Sequence, residues 1–231
     1  MFIERNIKGN YFIFIDKAIY LKNYKTLIIS DTHIGYKYYY NDFIAKKHLE
    51  ETIKNIEEIK NELKNKEFEI EKIIINGDIK DAFGYPKKTK EIFNVFNLYL
   101  KQNFKEAIYI LGNHDTGLKG INSYEFDNIF ITHGDKNIKT DKKIIIIGHQ
   151  HPGVKLKLGT KTENYKCFII CKKEDKNVVV LPNFSNSSNG SSLDKNNNIS
   201  PYLKNISDYG DIIVLENKKL FEFNNVNLYN F

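Results

Sequence analysis

The chain has 231 residues, enough for a full buried core, and its length allows one large domain or two small ones; one is expected. Its net charge of +6 and pI near 9.0 favour anionic partners, yet Arg5 is the only arginine, and with abundant Ile, Asn and Tyr this resembles an A/T-rich coding background as much as a selected nucleic-acid surface. No apolar run approaches the roughly 20 residues of a membrane helix, and residues 1–5 lack the apolar core of a signal peptide, so membrane-spanning and exported classes are set aside and a cytoplasmic protein is expected.

Residues 11–15 and 18–22 flank Asp16-Lys17 and predict a β-hairpin with Asp16 in the turn. Residues 26–30 predict a strand that runs into Asp31-Thr32-His33, where alternate side chains point the same way and can converge on one ion. Residues 36–40, Y-K-Y-Y-Y, either pack a helix entrance or offer a stacking surface beside a site. Over residues 43–66, Ile44, Leu49, Ile53, Ile56 and Leu63 recur at helical spacing, so an amphipathic helix covers a sheet; His48 is read as a surface histidine without a role.

The run Ile73-Ile74-Ile75 suits a strand covered on both faces, and Gly77 lets the chain turn so that Asp78 faces a crevice, with Asp81 just beyond. Residues 82–86 form a loop, and Ile92, Phe93, Phe96, Tyr99 and Leu100 mark a second helix over residues 89–104. This alternation implies βαβ units and a mainly parallel central sheet. Three more apolar runs follow: residues 107–111 end in Gly112-Asn113-His114-Asp115, residues 129–131 in Thr132-His133-Gly134-Asp135, and residues 144–147 in Gly148-His149-Gln150-His151. The five polar strand ends are expected together at the carboxyl edge of one sheet, where ligands bind in open α/β folds.

After Pro152, residues 154–158, 165–171, 178–181, 212–215 and 220–223 are short strand-like runs with no helical pattern between them, expected as antiparallel strands finishing a second sheet; residues 183–192 and 194–200 read as loop. Cys167 and Cys171 share a strand face roughly 13 Å apart. Disulfide-bonded cysteines have Cα atoms about 4.4–6.8 Å apart, so two free buried thiols and a reducing compartment are expected.

Five of the six histidines fall inside the strand-end clusters. Imidazoles, carboxylates and one carboxamide make a borderline ligand set, suited to Mn, Fe, Zn or Co rather than to purely oxygen-ligated Mg or Ca. They suffice for two ions about 3.5–4 Å apart, which repel and need a shared anionic ligand; Asp78 is the natural candidate.

The ordered set D-x-H (Asp31, His33), G-D-x-x-D (Gly77, Asp78, Asp81), G-N-H-D (Gly112, Asn113, His114, Asp115), His133 and G-H-x-H (Gly148, His149, His151) resembles the calcineurin-like metallophosphoesterases. More narrowly, S-D-T-H-I-G-Y, G-D-I-K-D-A-F-G, G-H-Q-H-P and L-P-N-F-S look like the archaeal SbcD-related (ICC-like) branch. The resemblance implies an α/β fold, a four-layer α/β/β/α sandwich in a single domain. It implies that Asp31, His33, Asp78 and His151 hold one divalent metal ion and Asp78, Asn113, His133 and His149 a second, with Mn2+ first and Fe, Zn, Co or Ni as alternatives. His114 would face the substrate and protonate the leaving oxygen. Asp115 and Asp81 would orient His114 or a ligand. A hydroxide between two cations would attack phosphorus in line, with Lys80 or a nearby lysine in place of a guanidinium clamp. Double-strand-break repair nucleases of this kind often carry histidine where this chain has Asp81, which sets the chain apart from them at that position.

The leading expectation is therefore a two-metal phosphodiesterase acting on DNA, RNA or a nucleotide-like diester. A phosphomonoesterase or protein phosphatase with the same metals is the alternative. A non-catalytic scaffold of the same fold comes third, because such members lose ligands or the catalytic histidine and none is lost here. The sequence sets no oligomeric state.

Overall fold

The computed structural model describes residues 2–35, 42–81, 87–158, 161–186, 188–195 and 198–230. The aromatic stretch 36–40 and the loop 82–86 lie outside the described residues. The chain opens with four antiparallel strands, β1 (Phe2–Ile7), β2 (Asn10–Ile15), β3 (Ala18–Leu21) and β4 (Thr26–Ser30). The first two turns are two residues long, at Lys8-Gly9 and Asp16-Lys17, with positive φ at Lys8, Gly9 and Asp16, which matches the twist of a tight hairpin. β1 has no clean alternation of apolar and polar residues and was not foreseen. After α1 (Asp42–Lys64), β5 (Lys72–Asn76) joins β4 in parallel, and after α2 (Lys87–Asn103), β6 (Glu106–Ile110) joins β5 in parallel. The first sheet thus runs β1-β2-β3-β4-β5-β6. Only half of it is parallel, which corrects the expected mainly parallel sheet: hairpin turns build the other half and need no crossover helix.

The second sheet takes the rest of the chain: β7 (Ser123–Glu125), β8 (Ile129–Thr132), β9 (Ile144–Ile147), β10 (Gly153–Leu158), β11 (Lys161–Lys173), β12 (Lys176–Val180), β13 (Tyr209–Glu216) and β14 (Lys219–Asn227). Its order is β14-β13-β11-β12-β9-β8-β7, with β10 on β11. The later strands are not uniformly antiparallel, since β12 lies parallel to β9. No helix lies between β6 and β9, so β8 and β9 belong to the second sheet. The five ligand-type strand ends are therefore split three and two between two sheets, a correction of the single edge expected from the pattern.

Three apolar layers result. Both α-helices cover the first sheet, where Ile73 and Ile75 meet Ile56, Leu63, Phe96 and Leu100. Between the sheets Ile28, Ile74, Ile110, Ile131, Ile146 and Phe168 form a dry core, and the edge of the Phe168 ring lies on Phe14 at 5.1 Å. On the far face of the second sheet, Ile145, Ile147, Cys167 and Cys171 pack under Leu193, Tyr202, Leu203 and Ile206. The fourth layer of the sandwich is thin there, a loop with one 3-10 turn at Pro201–Leu203. Both cysteines are free and buried, and burial pushes the Cys171 thiol up to about 12. The runs of isoleucine follow from this layering: Ile73 and Ile75 face the helices while Ile74 faces the second sheet, so each of the three isoleucines is worth about 1.5–3 kcal/mol of burial.

His48 corrects another expectation. It belongs to the inner stripe of α1, Ala45, His48, Leu49, Thr52, Ile56, Ile59 and Leu63, and only 7% of it is exposed. Its Nε2 lies 2.8 Å from the hydroxyl of Ser185.

Candidate metal centre

Each polar cluster begins where a strand stops. β4, β5 and β6 end level, with Ser30 beside Asn76 and Asn76 beside Ile110, so Asp31, His33, Asp78, Asn113 and His114 emerge at one height. β8 and β9 bring His133, His149 and His151 across from the second sheet. Asp31, His33, Asp78, His149 and His151 all have φ between 43° and 61°. That left-handed conformation costs a non-glycine residue free energy, and five such residues at one mouth mark a backbone held for what its side chains do. Two glycines make the crowding possible: a Cβ on Gly77 would overlap the His133 ring, and one on Gly148 would overlap Ser30 and the Asp31 carboxylate.

The donor atoms gather in three overlapping groups, each within 4.8 Å: Asp31, His33 and His151; Asp78, His133 and His149; and His33, Asp78 and His114. Asp78 Oδ1 is 3.4 Å from His133 Nε2, and His133 Nε2 is 3.2 Å from His149 Nδ1. His133 Nδ1 faces the Asn76 carbonyl at 3.2 Å, which turns Nε2 toward Asp78. Asp31 Oδ1 is 2.9 Å from His151 Nε2, but the two atoms are misaligned for a hydrogen bond and the nitrogen is buried without a hydrogen-bond partner. A carboxylate oxygen and an imidazole nitrogen this close fit a shared cation between them. The soft imidazoles and hard carboxylates together fit a divalent transition metal.

Charge supports the same picture. Burial works to raise the Asp31 carboxyl, but the imidazoles of His151, His133 and His33 overcome it and hold Asp31 below the usual carboxylate range. Asp78 is likewise held low: burial opposes, and His133 outweighs it. Burial would lower His133, yet Asp78 and Asp31 raise it to about 9. His33 and His149 are lowered, chiefly by burial.

The remaining expected residues sit as follows. His114 Nδ1 faces the carbonyl of Asp81 at 2.7 Å, leaving Nε2 3.9 Å from Asp78 Oδ2. The backbone N–H of His114 also donates to Asp78 Oδ1 at 3.0 Å. The Asp81 carboxylate lies 3.6 Å from His33 Nδ1. Asp115, 2% exposed, accepts the backbone N–H groups of Ile79, Lys80 and Gly112, so its carboxylate braces the 112–115 turn. Lys80 is fully buried and its ammonium meets the carbonyl of His114; it cannot reach a phosphate, which corrects its suggested role as a clamp. Asn113 lines the mouth, a pocket of about 280 Å³, with His33, Asp78, His114, His149 and His151.

Sequence reasoning missed Ser30, whose hydroxyl lies within hydrogen-bond reach of both Asp31 Oδ2 and the Asn76 carbonyl, and Gln150, whose side chain accepts the N–H groups of Ile199 and Ser200. Gln150 sits between two histidines of a clear motif, and its position there was the available signal. The loop 183–192, which by sequence borders the site without a ranked role, supplies Ser188, Gly190 and Ser191 as one wall of the pocket.

The family model described as calcineurin-like phosphoesterase matches residues 24–215. No curated protein gives a significant match. Among solved structures, the crystal structure of Pseudomonas putida nuclease MPE is similar in fold, with a TM-score of 0.69 at 17% identity over 96% of this chain and 100% of that one. A single mutant of Vps29 from Entamoeba histolytica has a TM-score of 0.38 at 14% identity over 86% of this chain and 98% of that one. Vacuolar protein sorting 29 from Cryptosporidium parvum has a TM-score of 0.37 at 13% identity over 86% and 97%.

Proposed function

Because this chain belongs to the calcineurin-like phosphoesterase family, a family of metal-dependent hydrolases of phosphoester bonds, we propose that it is a two-metal phosphodiesterase acting on nucleic acid or a nucleotide-like diester. The observation that carries the reading is the position of Asp78 in two of the three donor groups, between imidazoles supplied by both sheets. In it, Asp31, His33, Asp78 and His151 would hold one ion and Asp78, Asn113, His133 and His149 the other, with Mn2+ the first candidate. When bound, the ions supply a nucleophile at neutral pH and positive charge for the phosphoryl oxygens. His114 donates a proton or hydrogen bond from Nε2 to the leaving oxygen, its ring held by the carbonyl of Asp81. Asp115 and Lys80 keep the turn that carries Asn113 and His114 in place. The nucleic-acid part is supported by the basic charge of the chain and by the description of the Pseudomonas putida protein as a nuclease. The motifs around Asp31, Asp78 and His149 support the SbcD-related branch. Two free buried thiols suit a cytoplasmic protein, and no helix among the described residues is long and apolar enough to cross a membrane.

Mn-loaded protein is expected to cleave single- or double-stranded DNA, RNA or bis(p-nitrophenyl) phosphate; activity on none of them overturns the reading. A phosphomonoesterase with the same metals is the second reading, since the donor groups serve a monoester as well as a diester. Relative rates on p-nitrophenyl phosphate and its bis-ester separate the two.

A further inference from the structure

A second buried polar arrangement lies beside the metal pocket. Lys166 stands on β11 on the same side as Phe168 and Ile170, which face the inter-sheet core, and it is only 7% exposed. Its amine donates to the carbonyls of Asn183, at 2.8 Å, and Ser185. Among the described residues no carboxylate pairs with it. Burial, with Lys17 adding to it, pushes the amine down to about 6. Its N–H groups match the two carbonyls. An apolar side chain would cost the core far less than a buried amine, so this lysine has another task.

The carbonyls it holds belong to a segment docked on the other sheet. The N–H of Phe184 donates to the Ser30 carbonyl at 2.8 Å and that of Ser185 to the Asp31 carbonyl at 3.2 Å. The Asn183 amide adds bonds to the carbonyls of Ser185 and Ser188. From the hairpin turn between β2 and β3, Lys17 reaches Asn186 Oδ1 at 2.9 Å, and from α1, His48 meets the Ser185 hydroxyl. A few residues on, Ser188, Gly190 and Ser191 line the pocket, and the Ser191 N–H donates to the His151 carbonyl at 2.9 Å. The segment is therefore anchored at one end to the residue bearing Asp31 and at the other to the residue bearing His151.

We propose that Lys166 is a positioning residue: by holding the carbonyls of Asn183 and Ser185 it seats this segment on the end of β4 and fixes the Ser188, Gly190 and Ser191 wall against which the ester lies. The inference rests on the phosphoester reading for the identity of the bound group, and on the hydrogen bonds alone for the seating of the wall. Lys166 touches no reacting atom, so its loss should loosen substrate placement more than turnover.

The test is hydrogen exchange by mass spectrometry on peptides spanning 183–191, with metal content and steady-state kinetics on bis(p-nitrophenyl) phosphate measured alongside. In Lys166→Met, exchange should speed about tenfold or more and KM should rise about three- to tenfold, with kcat within about threefold and metal content unchanged. Lys166→Gln, uncharged and with a shorter reach to the two carbonyls, should speed exchange in the same direction by a smaller factor. Unchanged exchange in Lys166→Met overturns the proposal, as does a loss of kcat together with metal. If Lys166→Met fails to fold, Lys166→Gln decides: unchanged protection in 183–191 in a folded Lys166→Gln protein overturns it. Should the unmodified protein cleave no ester, the phosphoester reading fails by itself, and the exchange measurement still settles the seating role.

Discussion

Between the sheets, Ile28, Ile74, Ile110, Ile131 and Ile146 fill space with aliphatic volume, whereas just above them Asp31, Asp78, His133, His149 and His151 each hold one orientation and one set of neighbours. Ile74 and Asp78 are four residues apart on one chain segment and obey different rules. The core asks for volume and dryness, which several side chains can supply. The mouth asks for donor atoms at fixed points, and reaches them through left-handed backbone at five non-glycine positions. The first region provides the free energy that keeps the second in its costly conformation.

The sharpest way to break this contrast is Asp78→Ala. It removes the donor common to two groups, and activity is expected at background with metal content reduced on elemental analysis. His114→Ala should keep the metals and lose about 10²–10⁴-fold in turnover, the range of a general acid. Should it empty the centre instead, the group of His33, Asp78 and His114 is a binding group and the division of labour given above is wrong.

His48 tests the border between the regions. Burial, with the nearby His33 adding to it, holds its imidazole down at about 4 against an ordinary 6.5. Between those values the unfolded chain takes up a proton that the folded one refuses. Stability present above pH 6.5 is therefore lost as pH falls toward 4, by roughly 3 kcal/mol at most. Denaturant melts of His48→Gln should show a flatter dependence over that window than the unmodified chain; an equal slope assigns the acid loss elsewhere. The smallest effect belongs to the core. Ile74→Val should cost about 1 kcal/mol and lower Tm by about 2–4 °C, with kcat unchanged.

Residue type and order made the donor set readable, because imidazoles and carboxylates clustered at strand ends have few other uses. Sheet membership was harder. Five apolar runs with polar tips look alike in sequence, and pairing partners are non-local. The clue lay in residues 111–128 and 133–143, which carry no helix and so cannot return the chain to the first sheet as a right-handed crossover would. His48 was misread although it sits three residues after Ala45 and four before Thr52, on the inner stripe of α1. A polar side chain on an apolar stripe reads as solvent-facing until a partner such as Ser185, distant in sequence, is known. Lys166 escaped notice for the same reason: on β11 it alternates with Cys167 and falls on the inward face with Phe168, and only the carbonyls of Asn183 and Ser185 explain it.

The bond from the His149 N–H to the Asp31 carboxylate spans 118 residues. Hairpins such as β1 with β2 and β2 with β3 close over a few residues, so they can form within microseconds of collapse. The two halves of the mouth can meet only after β9 has emerged and docked. Loop closure of that length makes their meeting a late event in folding. On a ribosome, metal affinity should therefore appear abruptly, once β12 and the segment up to residue 191 have cleared the exit tunnel, in nascent chains that already carry a formed first sheet.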